Sequence, residues 1–343
     1  MKPYVQARQL ERPATGSCAT ETIEGPSDRG SPNGALRFRQ PGQLVGIELA
    51  GTEPFVTGGL TFVEAEDTSQ VRIDLSRMRL ADPLTVVGSA LVALRAAKEG
   101  RTPRLILPQD DTELENLSLL GLFDCLEPAW CPGSPPARAA FSTETCLRLW
   151  RLDFRGSRRA EDFVRRCTEL LEGQTGSPKL PRPVGQVLVE VIENALVHSR
   201  SPVGIYAAAR FYRSGKVIEG PGLEVAVGDA GVGMLSTLRA RYRRITRSVD
   251  ALWEAFNPRV GGTPTAGRSH RGAGLPLVQD RIHGRIPHGE LVILSGNAFA
   301  RLRADEPKDV YGLRASHCSG GDLTESHFEG WGTWARLRIP LGG

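Results

Sequence analysis

The stretch EVIENALVHS at residues 190–199 decides how this chain is interpreted. Its apolar residues continue a stripe that starts near residue 184 and recurs at helical spacing, which predicts an α-helix with one buried face. Glu190 and Asn194 lie one turn apart on the same side of this helix, and His198 follows one turn later. Glu193 points away from that side, so Glu190 is the candidate functional glutamate.

Glu190 and Asn194 have the chemistry of a site for a magnesium-bound nucleotide. Asn194 offers a neutral oxygen, which suits a Mg²⁺ ion whose other ligands are mainly water and phosphate. Glu190, ionised near neutral pH, can orient or deprotonate an attacking water or hydroxyl. An ordinary amphipathic helix with a polar edge would show the same spacing, so the stretch alone leaves both interpretations open.

A second carboxylate follows downstream, at the end of a predicted strand. The run LEVAV at residues 223–227 has the composition of a buried strand, and it leads to Asp229 in a turn with Gly231 and Gly233. Such an aspartate can accept a hydrogen bond from the amino group of adenine, and the glycines let backbone approach the ring. The Asp-x-Gly-x-Gly pattern is common, but its position after the Glu/Asn helix makes the pair specific.

Two later segments occur in the order that a nucleotide pocket requires. Residues 261–278, GGTPTAGRSHRGAGLPLV, look like a glycine-rich loop that runs into a helix, whose first amides would form a phosphate cradle. A plain surface loop is the alternative. Thr333 precedes the alternating run WARLRI at residues 334–339, and its hydroxyl could share the adenine contact of Asp229. The candidate residues of the loop are Arg271, Gly272, Ala273, Gly274 and Leu275.

Together the four segments resemble the nucleotide-binding domain of the GHKL superfamily, which includes gyrase, the histidine kinases and the MutL proteins. The resemblance covers roughly residues 155–343 and implies a two-layer α/β sandwich, with a mixed sheet on one side and helices on the other. It implies ATP and Mg²⁺ as the cofactors. The run E-x-x-x-N-A-x-x-H at residues 190–198 looks most like the anti-sigma-factor serine kinases.

The resemblance also assigns roles to individual residues. It implies that Glu190 is the general base, that Asn194 is the magnesium ligand, and that Asp229 binds adenine. His270 departs from the pattern, because many relatives have a further glycine at this position of the lid. The remaining nucleotide-binding residues that it implies are the turn glycines Gly231 and Gly233, the lid residues Arg271, Gly272, Ala273, Gly274 and Leu275, and Thr333.

The N-terminal half reads as a small α/β domain at residues 44–127. Its predicted strands and helices alternate as βαβα. It faintly resembles the STAS domains of anti-sigma-factor antagonists, but Pro83 stands where their phosphoacceptor serine is expected, so packing or partner binding is the expected role. The chain is thus divided into a poorly ordered segment at 1–43, the STAS-like domain at 44–127, a proline-rich linker at 128–154 and the GHKL-type domain at 155–343.

Composition is typical of a cytoplasmic protein with two domains. The chain has 343 residues, of which 40% are hydrophobic, and a net charge of +4. No apolar run is long enough to span a bilayer, and the six cysteines are scattered without a paired framework. Arginines crowd residues 239–247. They indicate either a nucleic-acid surface or, as we favour, a solvated face beside a polyanionic nucleotide.

The favoured function is magnesium-dependent ATP binding with slow hydrolysis, in a nucleotide-controlled switch that signals to a partner protein. One alternative is a protein serine/threonine kinase of the anti-sigma-factor type, in which Glu190 activates a hydroxyl of a partner. A second alternative is a nucleotide-binding interaction module that does not turn over. The partner is a regulatory protein that the sequence does not identify. A homodimer remains open, and no membrane contact is expected.

Overall fold

The computed structural model describes most of the chain after residue 34. Residues 33–343 belong to one compact unit. No helix in the described ranges is long and apolar enough to cross a membrane. The described residues are 35–40, 43–48, 61–64, 70–76, 78, 81–131, 145–152, 158–176, 179–213, 220–258, 274–296, 298–304, 306–312, 314–315 and 332–341.

In the part of the chain that the structure describes, the fold is mixed α/β, with helices, one large antiparallel sheet and two smaller sheets. The strands are β1 (Ala35–Gln40), β2 (Gln43–Glu48), β3 (Thr61–Glu64), β4 (Gln70–Asp74), β5 (Thr102–Ile106), β6 (Cys146–Leu152), β7 (Ile205–Tyr212), β8 (Gly222–Asp229), β9 (Glu290–Ser295), β10 (Ala298–Arg303), β11 (Glu306–Gly312), β12 (Arg314–Ala315) and β13 (Thr333–Pro340). The helices are α1 (Pro83–Lys98), α2 (Asp111–Leu119), α3 (Arg158–Thr175), α4 (Pro181–His198), α5 (Gly233–Arg239), α6 (Ser248–Ala255) and α7 (Gly274–Arg285).

The described residues of the large sheet form seven strands in the order β11-β10-β9-β13-β8-β7-β6. Every neighbouring pair in it is antiparallel. The expected mixed sheet is therefore wrong for these strands. The difference arises because β8 and β13, which carry Asp229 and Thr333, run in opposite directions and pair along their whole length, with Trp334 opposite Gly228.

Helices α3, α4 and α7 cover one face of this sheet. Their apolar stripes share a core with alternate residues of the strands, for example Val191 and Ile192 of α4 against Val225 and Val227 of β8. Because side chains on a strand alternate between its two faces, the residues between these point to the other side of the sheet. The helices α4 and α7 contact one another along this face.

Helix α1 covers the second face of the sheet, which the two-layer prediction leaves without a helix. Its core includes Tyr206, Ala208 and Ala226 of the sheet together with Val87 and Leu91 of the helix. Small side chains on the strands let the helix approach closely. The centre of the sheet is consequently packed between two helical layers, and the second layer comes from the segment predicted as a separate N-terminal domain.

The βαβ arrangement predicted in the N-terminal half is present. Strands β4 and β5 are parallel and are joined by α1, while β3 pairs antiparallel with β4. Asp82 caps α1, because its carboxylate accepts a hydrogen bond from the Thr85 amide at 2.7 Å, and Pro83 occupies the first turn. Pro83, which stands where the STAS domains have their phosphoacceptor serine, is thus the first residue of this capped helix.

Several predicted boundaries differ from the structure. Cys146–Leu152 lies inside the predicted linker 128–154, but it forms the edge strand β6 because Leu147 and Leu152 are buried against the sheet and its helices. Ala35–Gln40 lies inside the predicted poorly ordered segment 1–43, but it pairs with β2. The division of the chain into domains otherwise stays a prediction, and residues 1–34 lie outside the described part.

Candidate functional site

A cavity of about 300 Å³ lies between α4, the end of β8, the start of β13, and the starts of α5 and α7. Its volume is at the lower end of the range for small-molecule sites, and its walls are mainly apolar with a few polar groups, as is usual for such sites. Its apolar lining includes Val191, Ala195, Val227, Leu275, Ile293 and Ala335. Its polar lining includes Asn194, His198, Asp229, Thr237, Arg241 and Thr333.

Asp229 stands at the end of β8 and is 1% exposed. Its carboxylate accepts a hydrogen bond from the Gly231 amide at 2.8 Å and another from the backbone of Thr333. Its backbone carbonyl accepts a hydrogen bond from the Trp334 indole at 3.2 Å. These contacts fix the carboxylate at the cavity, where it can accept a further hydrogen bond from a ligand.

Two glycines let the chain pass close to Asp229. A Cβ atom on Gly231 would lie 1.8 Å from the carbonyl oxygen of Ser199, the residue that follows α4. A Cβ atom on Gly332 would lie 2.1 Å from the carbonyl oxygen of Asp229, and Gly332 has φ +77°. Only glycine fits at either place without a shift of backbone. The backbone of the turn after β8 therefore packs closely against both the end of α4 and the residue before β13.

Burial raises the pKa of Asp229 from 3.8 to about 7, although the amides of Gly231 and Thr333 oppose the shift. Protonated Asp229 therefore stabilises the folded chain below about pH 4, and this contribution is lost as the pH rises to about 7. Since asparagine does not titrate, the free energy of unfolding of Asp229→Asn relative to the natural chain is expected to increase over this pH window and then level off. Urea unfolding of both chains at several pH values measures this difference in the free energy of unfolding. A difference that does not depend on pH would contradict the raised pKa of Asp229.

Asn194 lines the cavity from α4, and its Nδ2 atom is buried with no hydrogen-bond partner among the described residues. A buried polar atom without a partner is costly, and a bound ligand is one way to satisfy it. Glu190 lies one turn earlier on the same helix and is half-buried. Burial, and secondarily the charge of Glu193, raises the pKa of Glu190. Glu190 is not among the described residues that line the cavity.

Thr333 lines the cavity beside Asp229, as the sequence predicts. Its hydroxyl lies 3.0 Å from the Ser295 hydroxyl at the end of β9. Ser295 also accepts a hydrogen bond from the Met234 amide at 2.8 Å, at the start of α5. Ser295 is thus a buried contact between three segments of the site. A serine at the end of a strand has no distinctive sequence signal, and the sequence did not indicate it.

The other predicted residues fall into two groups. Gly233, at the start of α5, and Gly274 and Leu275, at the start of α7, line the cavity. Arg271, Gly272 and Ala273 lie outside the described residues. Their predicted role at a phosphate stays a prediction.

Helices α5 and α6 contribute to the cavity in a way that the sequence did not indicate. Met234, Thr237 and Leu238 of α5 and Ala255 of α6 are among the lining residues. Arg241, from the arginine-rich run, also lines it. Of its neighbours, Arg247 makes hydrogen bonds to both carboxylate oxygens of Asp250 at 2.8 Å. The sequence pattern favoured a solvated face beside a nucleotide for this run, and Arg241 is the member of it that lines the cavity.

Among the described residues at the cavity, Asn194 is the one that the sequence analysis named as a candidate magnesium ligand. Within the described ranges, no cluster of three or more histidine, cysteine, aspartate or glutamate side chains could hold a metal ion. Asn194 lines the cavity, and its side-chain amide has one neutral oxygen besides the buried Nδ2 atom. Mg²⁺ commonly keeps several waters and binds through one or two protein groups plus phosphates, so one amide ligand is compatible with it.

Comparisons of the chain with protein-family models, with curated proteins and with solved structures found no match.

Proposed function

We propose that the protein binds ATP with Mg²⁺ in this cavity and hydrolyses it slowly, as a nucleotide-controlled switch with a GHKL-type nucleotide-binding domain. The observation that carries the proposal is the meeting of Asp229, Asn194 and Thr333 at one cavity. These residues come from three separate segments, and their order along the chain is the order that the superfamily resemblance requires.

The cavity supports a purine at its Asp229 end. The walls beside Asp229 are apolar, with Val227, Ile293 and Ala335 from adjacent strands, and such walls suit the faces of a flat aromatic ring. When it is ionised, the carboxylate of Asp229 acts only as a hydrogen-bond acceptor, and an exocyclic amino group is a matching donor. The neighbouring hydroxyl of Thr333 adds a second polar contact at the same end.

The phosphate end is proposed to lie toward Asn194 and Glu190. Mg²⁺ held by Asn194 would neutralise charge on the phosphates and polarise them. Glu190 lies one turn from Asn194, and its raised pKa makes it a better proton acceptor near neutral pH than an exposed glutamate. Its role is to orient a water molecule and take its proton.

The binding experiment is calorimetry of the whole chain with ATP and MgCl₂, in parallel with Asp229→Asn. The variant is expected to bind ATP more weakly by about 1–3 kcal/mol. The amide of asparagine either turns its NH₂ group toward the adenine amino group, which is also a donor, or accepts the hydrogen bond through an uncharged oxygen. GTP, which lacks the adenine amino group, is the ligand control. Unchanged affinity of the variant would remove Asp229 from contact with the base, and a natural chain that takes up no nucleotide would end the proposal.

The nature of the turnover is tested with γ-labelled ATP. Release of free labelled phosphate is the expected result and indicates hydrolysis. Label on a protein that co-purifies with the chain would instead indicate the kinase alternative. Binding without either product would indicate an interaction module. The same purification, with and without ATP, identifies partners whose association depends on the nucleotide.

A further inference from the structure

The turn that carries Asp229 has a contact on the side away from the cavity. Arg95, in the last turn of α1, donates a hydrogen bond from Nη1 to the carbonyl oxygen of Ala230 at 2.6 Å. Ala230 is the residue between Asp229 and Gly231. A charged donor makes a stronger hydrogen bond than a neutral one, so this contact holds the turn firmly.

Two further residues of α1 pack closely against the end of β8. A Cβ atom on Gly228 would lie 2.8 Å from Leu91 Cδ1 and 2.9 Å from Val87 Cγ1. Val87, Leu91 and Arg95 are each one turn apart, and they form a single stripe along the helix. This stripe follows the backbone from Gly228 to Ala230, so α1 contacts the last residues of β8 and the turn that follows.

The cavity side of the turn is held by residues that follow α4. The Val232 amide donates to the carbonyl oxygen of Ser199 at 2.8 Å, and the Ala230 amide donates to Ser201 Oγ at 3.3 Å. Both backbone groups of Ala230 are therefore hydrogen-bonded: its carbonyl oxygen accepts from Arg95, and its amide donates to Ser201. Loss of either contact would give the turn more freedom to move.

We propose that Arg95 is a positioning residue that fixes the Ala230 carbonyl and thereby the presentation of Asp229 to the ligand. The contact couples helix α1, in the N-terminal half, to occupation of the cavity. The coupling is reciprocal, so a partner that shifts α1 changes ligand affinity, and the ligand changes the freedom of α1. The identity of the ligand rests on the proposed function, whereas the restraint of the turn belongs to the ligand-free chain.

The test compares Arg95→Ala with Lys98→Ala. Lys98 lies in the same helical turn and carries the same charge, but it is exposed and makes no contact with the Ala230 carbonyl. Hydrogen exchange at the amides of Gly231 and Val232, measured without nucleotide, is expected to be faster in Arg95→Ala and unchanged in Lys98→Ala. Arg95→Lys keeps a charged donor and is expected to restore part of the protection.

Affinity provides the second measurement. Arg95→Ala is expected to bind ATP and ADP more weakly by about 2- to 30-fold, and by the same factor for both, because the turn acts at the base and not at the terminal phosphate. A loss confined to ATP would overturn the proposal. Equal exchange rates in Arg95→Ala and Lys98→Ala would overturn it whatever the affinities. A natural chain that binds neither nucleotide refutes the proposed function, while the exchange rates still decide the role of Arg95.

Discussion

Replacing Gly332 by alanine is expected to destabilise the fold and to abolish ligand binding. The new Cβ atom would lie 2.1 Å from the carbonyl oxygen of Asp229 and 2.5 Å from its Oδ1 atom, so Thr333 and Asp229 must move apart. The crowding costs about 1–3 kcal/mol of unfolding free energy. The φ of +77° adds about 1–2 kcal/mol for a residue with a side chain.

Gly100→Ala is the matched control for this prediction. Gly100 has φ +76°, nearly the angle of Gly332, but a Cβ atom there would meet nothing within 4 Å. Its replacement therefore carries the cost of the backbone conformation without the crowding. Thermal or urea unfolding of both variants measures the two losses of stability, and their difference is the cost of the crowding. Calorimetry with MgATP measures nucleotide affinity in both. If both variants lost the same stability and bound equally well, Gly332 would not constrain Asp229.

Replacing Glu190 by glutamine is expected to lower ATP turnover by about 10²–10⁴-fold and to leave ATP affinity nearly unchanged. Glutamine keeps the size of the side chain but cannot accept the proton of an attacking water. The measurement pairs phosphate release at saturating ATP with calorimetry. This split between turnover and binding separates a base from a residue that merely supports the helix.

Glu193→Gln is the control, because Glu193 lies on the same helix and is also partly buried. It adds negative charge near Glu190, and its removal is expected to lower the pKa of Glu190 slightly. Turnover should therefore change little and should extend to lower pH. Retained turnover in Glu190→Gln would show that another group is the base, and a loss in Glu193→Gln alone would move the role to that residue.

The elements that the sequence predicted best have strong local patterns. The predicted helix at 184–199 is α4 (Pro181–His198), and the predicted strand at 334–339 is β13 (Thr333–Pro340). Their apolar residues recur at the helical period or alternate, because each packs one face on the shared core. The same patterns placed Asp229 and Thr333 at strand ends, and in the structure β8 and β13 are neighbours.

What the sequence could not predict depends on contacts between distant segments. Arg95 and Ala230 are far apart in the chain, and no local pattern links them. Helix α5 was missed because its seven residues are too few to show a clear helical period of apolar residues. The arginines that follow it also hide where it ends. Strand β6 was missed because it lies in a segment whose prolines and glycine indicated a linker.

The placement of α1 on the sheet has a consequence for anyone who dissects this chain. A fragment that starts after residue 154 would lack β6, and Tyr206, Ala226 and Trp334 would be left facing water instead of Val87 and Leu91. Freshly uncovered apolar surface of this kind promotes self-association. Biochemistry on the intact polypeptide is accordingly the sound choice, and a truncated piece that fails to take up nucleotide would say more about its solubility than about its pocket.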